Sequence, residues 1–146
     1  MSLLQSFRAY LKNRQITIQS ESNEQRISFE RGGLNYVFYS NLKDPLYFRI
    51  MLPRIDHVNS VEHSILGRLN YLTMSYKAGK AVLIDNDVWL TFEQFVDDAD
   101  ADHNSIFDRG FSILSDMLEE YKVLLGGNQP KEDNETVPAT PDMPDA

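Results

Sequence analysis

The stretch Asp44-Pro-Leu-Tyr-Phe-Arg-Ile-Met-Leu-Pro-Arg-Ile55 alternates between two kinds of side chain. The wholly apolar set is Leu46, Phe48, Ile50 and Leu52, and the mixed set is Tyr47, Arg49 and Met51. A period of two residues is typical of a β-strand, because successive side chains point to opposite faces of a sheet. Pro45 and Pro53 stand at its two ends, where a missing backbone donor does least harm to strand pairing. The stretch therefore predicts a strand that has one fully apolar face and ends at Pro53.

Upstream of this strand, extended segments alternate with turn residues. Ile16–Ser20 and Ile27–Phe29 are the first two extended segments, and Leu34–Ser40 is apolar or aromatic on both sides. Gly32-Gly33 permits the positive φ angles of a tight hairpin. Because the connections are too short for parallel crossovers, Ile27–Phe29, Leu34–Ser40 and the strand quoted above are predicted to form a three-strand antiparallel meander.

Three segments have the period of an α-helix. Ser2–Asn13, Val58–Ala78 and Asn104–Leu125 each place apolar side chains three or four residues apart, which gives each helix an apolar stripe. Asp56 is the predicted N-cap of the second helix, and Gly67 within that helix indicates a position where another backbone could approach closely.

One more hairpin is predicted between the second and third helices. Lys80–Ile84 and Val88–Val96 are its strands, and Asp85-Asn86-Asp87 is its turn. In the return strand, alternation places three side chains together on one face: Trp89, Thr91 and Glu93. The predicted fold is an α+β domain in the order α-β-β-β-α-β-β-α, in which helices pack on an antiparallel sheet.

The composition of the chain changes after Leu125. Residues 1–125 have the size of a single domain. Residues 126–146 contain four prolines and one lysine against five acidic residues, so they carry half of the net charge of −8. Such a segment buries too little apolar surface to offset the entropy lost on ordering. It is therefore predicted to be a disordered acidic tail.

Several classes of protein are disfavoured by what the sequence lacks. There is no cysteine, which excludes disulfides and thiolate metal sites. A secretory signal and a run of about 18 apolar residues are both missing, so we expect a cytoplasmic protein that does not span a membrane. Residues 1–125 are also mildly acidic, which disfavours binding to nucleic acid phosphates.

The two candidate metal sites have residues of the wrong type or at the wrong spacing to bind a metal ion. Asp98-Ala-Asp-Ala-Asp102 alternates acids as an EF-hand loop does, but His103 stands at the glycine position and Arg109 at the bidentate glutamate position. The acids are better explained by a favourable interaction with the dipole of the helix that follows. His57 and His63 are too far apart in sequence for a two-histidine zinc site on one helical face. We therefore predict no metal and no cofactor.

Catalytic motifs are also missing. The chain has no G-x-S-x-G sequence, no glycine-rich phosphate loop and no dinucleotide-binding fingerprint, and a cysteine nucleophile is excluded. The sequence therefore predicts a protein without catalytic residues, one that is not an enzyme.

The strongest remaining signal is a surplus of aromatic and apolar side chains. A sheet covered by helices on one face needs either solvent-tolerant residues or a partner on its other face. Tyr, Trp, Met and Arg are enriched at protein interfaces. The candidate partner-binding residues are Tyr36, Tyr47, Arg49, Met51, Tyr71, Met74 and Trp89. The alternative is that tyrosines at half-exposed sheet positions need no partner.

The order of elements and several residues together resemble a known family. The matching patterns are Phe48-Arg49-Ile50-x-Leu52-Pro53, Leu69-Asn70, Lys80-Ala81 and Glu93-x-Phe95, followed by a helix with Phe107 and Leu114. They resemble the YbjN family of bacterial sensory-transduction regulators and the related type III secretion chaperone-like fold. The resemblance implies an α+β domain, often homodimeric and without known catalysis. In the secretion chaperones, sheet and helices bind an extended segment of a secreted partner.

Three hypotheses for function follow. The first is a non-enzymatic protein-interaction module with chaperone-like or regulatory work, which binds a protein segment and forms a homodimer. The second is a small-molecule-binding or hydrolytic protein whose site combines aromatics with Asp85, Asp87 and Glu93 near the 85–93 hairpin. The third is a structural subunit of a larger assembly, which the sequence does not separate from the first.

Overall fold

A computed structural model of the chain describes residues 1–126, so the predicted disordered tail lies outside the described residues except for Gly126. Within this range, strands and helices follow the order α-β-β-β-β-α-β-β-α. The elements are α1 (Leu3–Asn13), β1 (Ile18–Ser22), β2 (Arg26–Arg31), β3 (Leu34–Asn41), β4 (Asp44–His57), α2 (His63–Ser75), β5 (Gly79–Ile84), β6 (Asp87–Phe95) and α3 (Asn104–Leu125).

The described strands form one antiparallel sheet in the order β1-β2-β3-β4-β6-β5. This confirms the predicted α+β class and antiparallel sheet. The meander has four strands rather than three, because the extended segment near Ile16–Ser20 becomes β1 and pairs with β2. Strand β4, which contains the stretch quoted above, lies near the centre and pairs with β3 and β6.

The predicted end of β4 at Pro53 is wrong. The pairing of β4 with β6 shifts register between Leu52 and Asp56, and Arg54 in this bulge has a φ of 51°. A bulge leaves a residue unpaired, so it tolerates a proline without ending the strand. Asp56 consequently belongs to β4 and does not cap α2, which begins at His63. Its Oδ2 atom instead accepts a 2.6 Å hydrogen bond from the hydroxyl of Tyr121.

The other two helices agree closely with prediction. Helix α1 begins with a capping box, in which the Ser2 side chain accepts from the Gln5 amide and the Gln5 side chain accepts from the Ser2 amide. Helix α3 spans Asn104–Leu125, the predicted bounds. The capping box of α1 and the long apolar stripes of α1 and α3 explain why both helices could be predicted from sequence.

The core lies between one face of the sheet and the helices. Alternate side chains of the four inner strands point to this face, where α1 and α3 cover them. Phe7 of α1 is at its centre, stacked on Phe38 with ring centroids 4.1 Å apart and in edge contact with Phe107 at 5.0 Å. The predicted apolar face of β4 supplies Phe48, Ile50 and Leu52 to the core, while Leu46 at the strand's entrance is partly exposed.

Helix α2 closes one edge of the sheet through a side-chain hydroxyl. The Thr73 Oγ1 atom accepts a 2.9 Å hydrogen bond from the backbone amide of Ala81 in β5, at the edge of the sheet. Replacing Thr73 with valine is expected to lower the free energy of unfolding by about 1 kcal/mol, because the amide loses its partner. Urea unfolding measures this change. Thr73→Ser keeps the hydroxyl and should retain most of the stability; equal losses in both variants would contradict the role of the hydroxyl.

Candidate functional site

A groove of about 550 Å³ runs across the face of the sheet opposite the core. We call this side the open face. Its lining comes from β2 to β6, and no described helix contributes to it. The lining residues are Arg26, Val37, Tyr39, Arg49, Met51, Lys80, Val82, Ile84, Trp89, Thr91 and Glu93. The groove is therefore built from the side chains that alternate with the core residues of the same strands.

One half of the groove is apolar. Trp89 of β6 lies directly across from Val82 of β5, and Met51 of β4 lies across from Thr91. Ile84 continues this surface to the end of β5. The guanidinium of Arg54, presented by the β4 bulge, lies 5.5 Å from the centroid of the Trp89 ring. A cation at that distance over an indole ring is attracted to it.

The other half of the groove centres on one carboxylate that two cations share. Glu93 accepts from Lys80 Nζ at 3.1 Å and forms an ion pair with Arg49 Nε at 3.2 Å. Arg49 Nε also donates to the hydroxyl of Tyr47 at 3.0 Å. Burial raises the pKa of the Tyr47 hydroxyl, against the opposing effect of Arg49. Tyr47 is therefore neutral near pH 7 and acts as a hydrogen-bonding group.

Two polar atoms at the floor of the groove have no hydrogen-bond partner among the described residues. They are Thr91 Oγ1 and Trp89 Nε1, neighbours on the same face of β6. Thr91 is only 6% exposed. A buried polar group without a partner costs about 1–3 kcal/mol relative to a paired one. Both atoms are buried beneath the surface of the groove, so they do not face a ligand lying in it.

The groove is cationic although the chain is acidic. Its lining contains three basic residues and one acidic residue, Glu93, whereas the chain has a net charge of −8. Arg26 makes no ion pair with any residue from 1 to 126, and its guanidinium lies 6.0 Å from the centroid of Tyr39. The positive field is therefore not fully neutralised within the described part of the chain, and it favours an anionic ligand.

The structure separates the predicted partner-binding residues into three groups. Arg49, Met51 and Trp89 line the groove, and Tyr47 adjoins it through its bond to Arg49. The prediction that Tyr36 lies on a partner-binding surface is wrong, because its side chain is only 2% exposed.

Tyr36 packs in the core against Phe29 and Phe111. Strand β3 is aromatic on both sides, so its alternation could not show which set the helices cover. Tyr71 and Met74 lie on the exposed side of α2, away from the groove.

The carboxylates named for the alternative site do not come together. Of the three, only Glu93 lines the groove. Asp87 forms a 2.7 Å contact with His57 Nδ1 and a 3.6 Å ion pair with Arg54. Asp85 occupies the β5–β6 turn with a φ of 52°. The hydrolytic reading receives no support from these positions.

The acidic residues before α3 accept hydrogen bonds from backbone amides or pair with the N-terminal amino group. Asp98 Oδ1 accepts from the amide of Asp100, and Asp102 Oδ1 accepts from the amide of Asn104, each at 2.9 Å. Asp100 pairs with the amino group of Met1, which lowers the pKa of that carboxyl. Residues 1–126 contain no cluster of three or more His, Cys, Asp or Glu side chains arranged to hold a metal ion.

The groove residues that were not named from the sequence as candidates for binding lie on neighbouring strands. They are Arg26, Val37, Tyr39, Lys80, Val82, Ile84 and Thr91. Strand alternation placed Thr91 beside Trp89, but cross-strand register was needed to align Lys80 with Thr91 and Met51 with Val37. That register depends on the turns and on the β4 bulge, which periodicity does not reveal.

The fold and groove define the protein as an α+β domain with one helix-covered and one open sheet face. No protein-family model matches the chain, and no curated protein matches it. Among residues 1–126, none of the helices combines the length and the apolar character that crossing a membrane would require.

Proposed function

We propose that the protein is a non-enzymatic interaction module that binds an extended segment of another protein in the open-face groove. The groove on the open face, which is apolar in one half and cationic in the other, carries the proposal. An extended peptide has backbone carbonyls and acidic side chains to meet the cations, and apolar side chains to fill the apolar half. The residue types that line the groove are those favoured at interfaces, with tryptophan and arginine foremost.

The size of the groove suits a segment rather than a large flat surface. A volume of about 550 Å³ lies within the range of ligand-binding clefts, so a few side chains of a peptide could fill it. Tyr47 and Phe95, whose ring centroids are 5.3 Å apart, extend the apolar surface beyond the charged half. A bound segment would therefore meet apolar contacts on both sides of the Glu93 ion pairs.

The resemblance of the sequence to the YbjN family and the secretion chaperone-like fold supports this proposal. Such a module would do chaperone-like or regulatory work in the cytoplasm. It would also form a homodimer, for which the exposed side of α2 with Tyr71 and Met74 is the candidate surface because it lies away from the groove. Segment binding and self-association are then separable by mutation.

Selection of a random peptide library on the full chain tests segment binding. Peptides that bind in the groove should lose about tenfold or more in affinity for Trp89→Ser, because aromatic anchors near the centre of an interface contribute about 2 kcal/mol or more. Fluorescence anisotropy of labelled peptides measures the affinities. Ile84→Ser is a second variant at a more exposed position, in case removing the indole disturbs the sheet.

Met74→Ser is the matched control, since Met74 is a 64% exposed apolar residue on α2. It should leave peptide affinity unchanged. If no peptide is selected, or if the selected peptides lose affinity with Met74→Ser and not with the groove variants, the groove is not the binding site.

A further inference from the structure

The cationic groove and the acidic tail of the same chain have complementary charges. Arg26, Arg49 and Lys80 line the groove against Glu93 alone. Residues 126–146 have a net charge of −4, and three of their acids are close together at Glu132, Asp133 and Glu135. Val137-Pro138 follows after Thr136, so the segment joins an anionic cluster to two apolar residues. The groove has the same two halves.

The end of α3 lies near the apolar end of the groove. The hydroxyl of Tyr121, in the last turns of α3, donates to Asp56 of β4 at 2.6 Å. Asp56 pairs with Val88, the neighbour of Trp89, and lies just beyond the bulge that presents Arg54 to the indole ring. The last turn of α3 therefore begins beside this end of the sheet, on the face opposite the groove.

The chain beyond α3 is long enough to make this passage. An extended peptide spans about 3.3 Å per residue, so the chain from Gly126 to Glu135 reaches about 30 Å. Passing from one layer to the next takes about 10 Å, and the step along β6 from Val88 to the cations around Glu93 takes about 17 Å more. Tethering over a short distance gives an effective concentration in the millimolar range, so even a weak contact between tail and groove would be substantially occupied.

From these observations we infer that the acidic segment around Glu132–Glu135 docks in cis on the open-face groove. The tail carboxylates meet the cations of the groove, with Arg26 the one that has no ion pair among residues 1–126. The tail thereby competes with the segment of a partner for the same surface. This inference rests on the proposed function of the groove, and it assigns the groove a built-in competitor.

Trp89 gives a direct readout, because it is the single tryptophan of the chain and lines the groove. The experiment compares acrylamide quenching of tryptophan fluorescence in the full wild-type chain and in the full chain carrying Glu132→Gln, Asp133→Asn and Glu135→Gln. Acrylamide is uncharged, so a change of net charge alone does not alter its access. If tethering leaves about half of the molecules closed, releasing the tail raises the quenching constant by up to about twofold.

Salt and a groove variant complete the test. Raising the salt to 1 M shortens the Debye length to about 3 Å and should bring the wild type to the quenching constant of the tail variant. Arg26→Gln should act in the same direction, whereas Lys12→Gln removes a charge from an exposed position on α1 and should have no effect.

Equal quenching in the wild type and the tail variant would overturn the inference. So would a difference that grows with protein concentration, because it would place the tail on a second copy of the chain. Neither result bears on whether selected peptides bind the groove, so failure of this inference and failure of the proposed function can be told apart.

Discussion

Replacing Phe7 with alanine is expected to lower the free energy of unfolding by about 3–5 kcal/mol, the range measured for buried phenylalanines. The ring is fully buried and lies within 4.1 to 6.3 Å, centroid to centroid, of aromatic rings from two sheet strands and two helices. Because the ring contacts the sheet and α3 as well as its own helix α1, its removal leaves a cavity that no single element can close. Loss of this size is a large share of the stability of an ordinary domain.

Urea denaturation followed by circular dichroism measures the effect, and Phe95→Ala provides the control. Phe95 is 68% exposed on β6 and contacts Tyr47 alone among aromatic residues 1–126. Its replacement should change the free energy of unfolding far less. A loss of less than about 1 kcal/mol for Phe7→Ala would mean that α1 is not a structural part of the core.

The second large effect is expected at a glycine that the sequence did not single out. A Cβ atom at Gly110 of α3 would lie 2.7 Å from Cδ2 of the buried Phe92 ring and 3.3 Å from Cδ1 of Ile50. Gly110→Ala should therefore be destabilising, because overpacking typically costs about 1–3 kcal/mol and outweighs the better helix propensity of alanine. Thermal unfolding should show a lower midpoint.

Gly67→Ala is the opposite case and serves as the matched control. The sequence indicated a close backbone approach at Gly67, but a Cβ atom there would have no heavy atom within 4 Å apart from its own helix and neighbours. The substitution should raise the free energy of unfolding by up to about 1 kcal/mol through helix propensity alone. Two glycine-to-alanine changes in two helices should thus have opposite signs. Equal signs would contradict the packing of α3 on the sheet.

The sequence predicted correctly those features whose pattern lies within one segment of the chain. The cap at Ser2 and the stripe from Phe107 to Leu125 are local, so α1 and α3 were predicted with nearly correct bounds. The end of β4 was predicted wrongly, because a proline such as Pro53 usually ends a strand and only the pairing with β6 reveals the bulge. The start of α2 was predicted too early for the same reason, because Asp56, which belongs to β4, was taken as the cap of that helix.

The groove was predicted only in part for a similar reason. Alternation within β6 placed Trp89, Thr91 and Glu93 together, and the structure confirms that all three line one groove. Alternation could not say which face of β3 was covered, so Tyr36 was named as a surface residue when it is buried. The unpartnered Thr91 hydroxyl is a property of packing and has no sequence signal at all.

The hydroxyl of Thr73 has a consequence for how copies of this protein can meet. By occupying the Ala81 amide, it denies an incoming strand one hydrogen bond at the β5 edge, where α2 also stands. The opposite edge, β1, presents mostly exposed polar side chains, with Glu21 held by Arg8 of α1. Polar, charged edges resist pairing between molecules. One-dimensional polymerisation by strand addition is therefore disfavoured at both edges, which helps a long aromatic-rich sheet to keep an open face without growing into fibres.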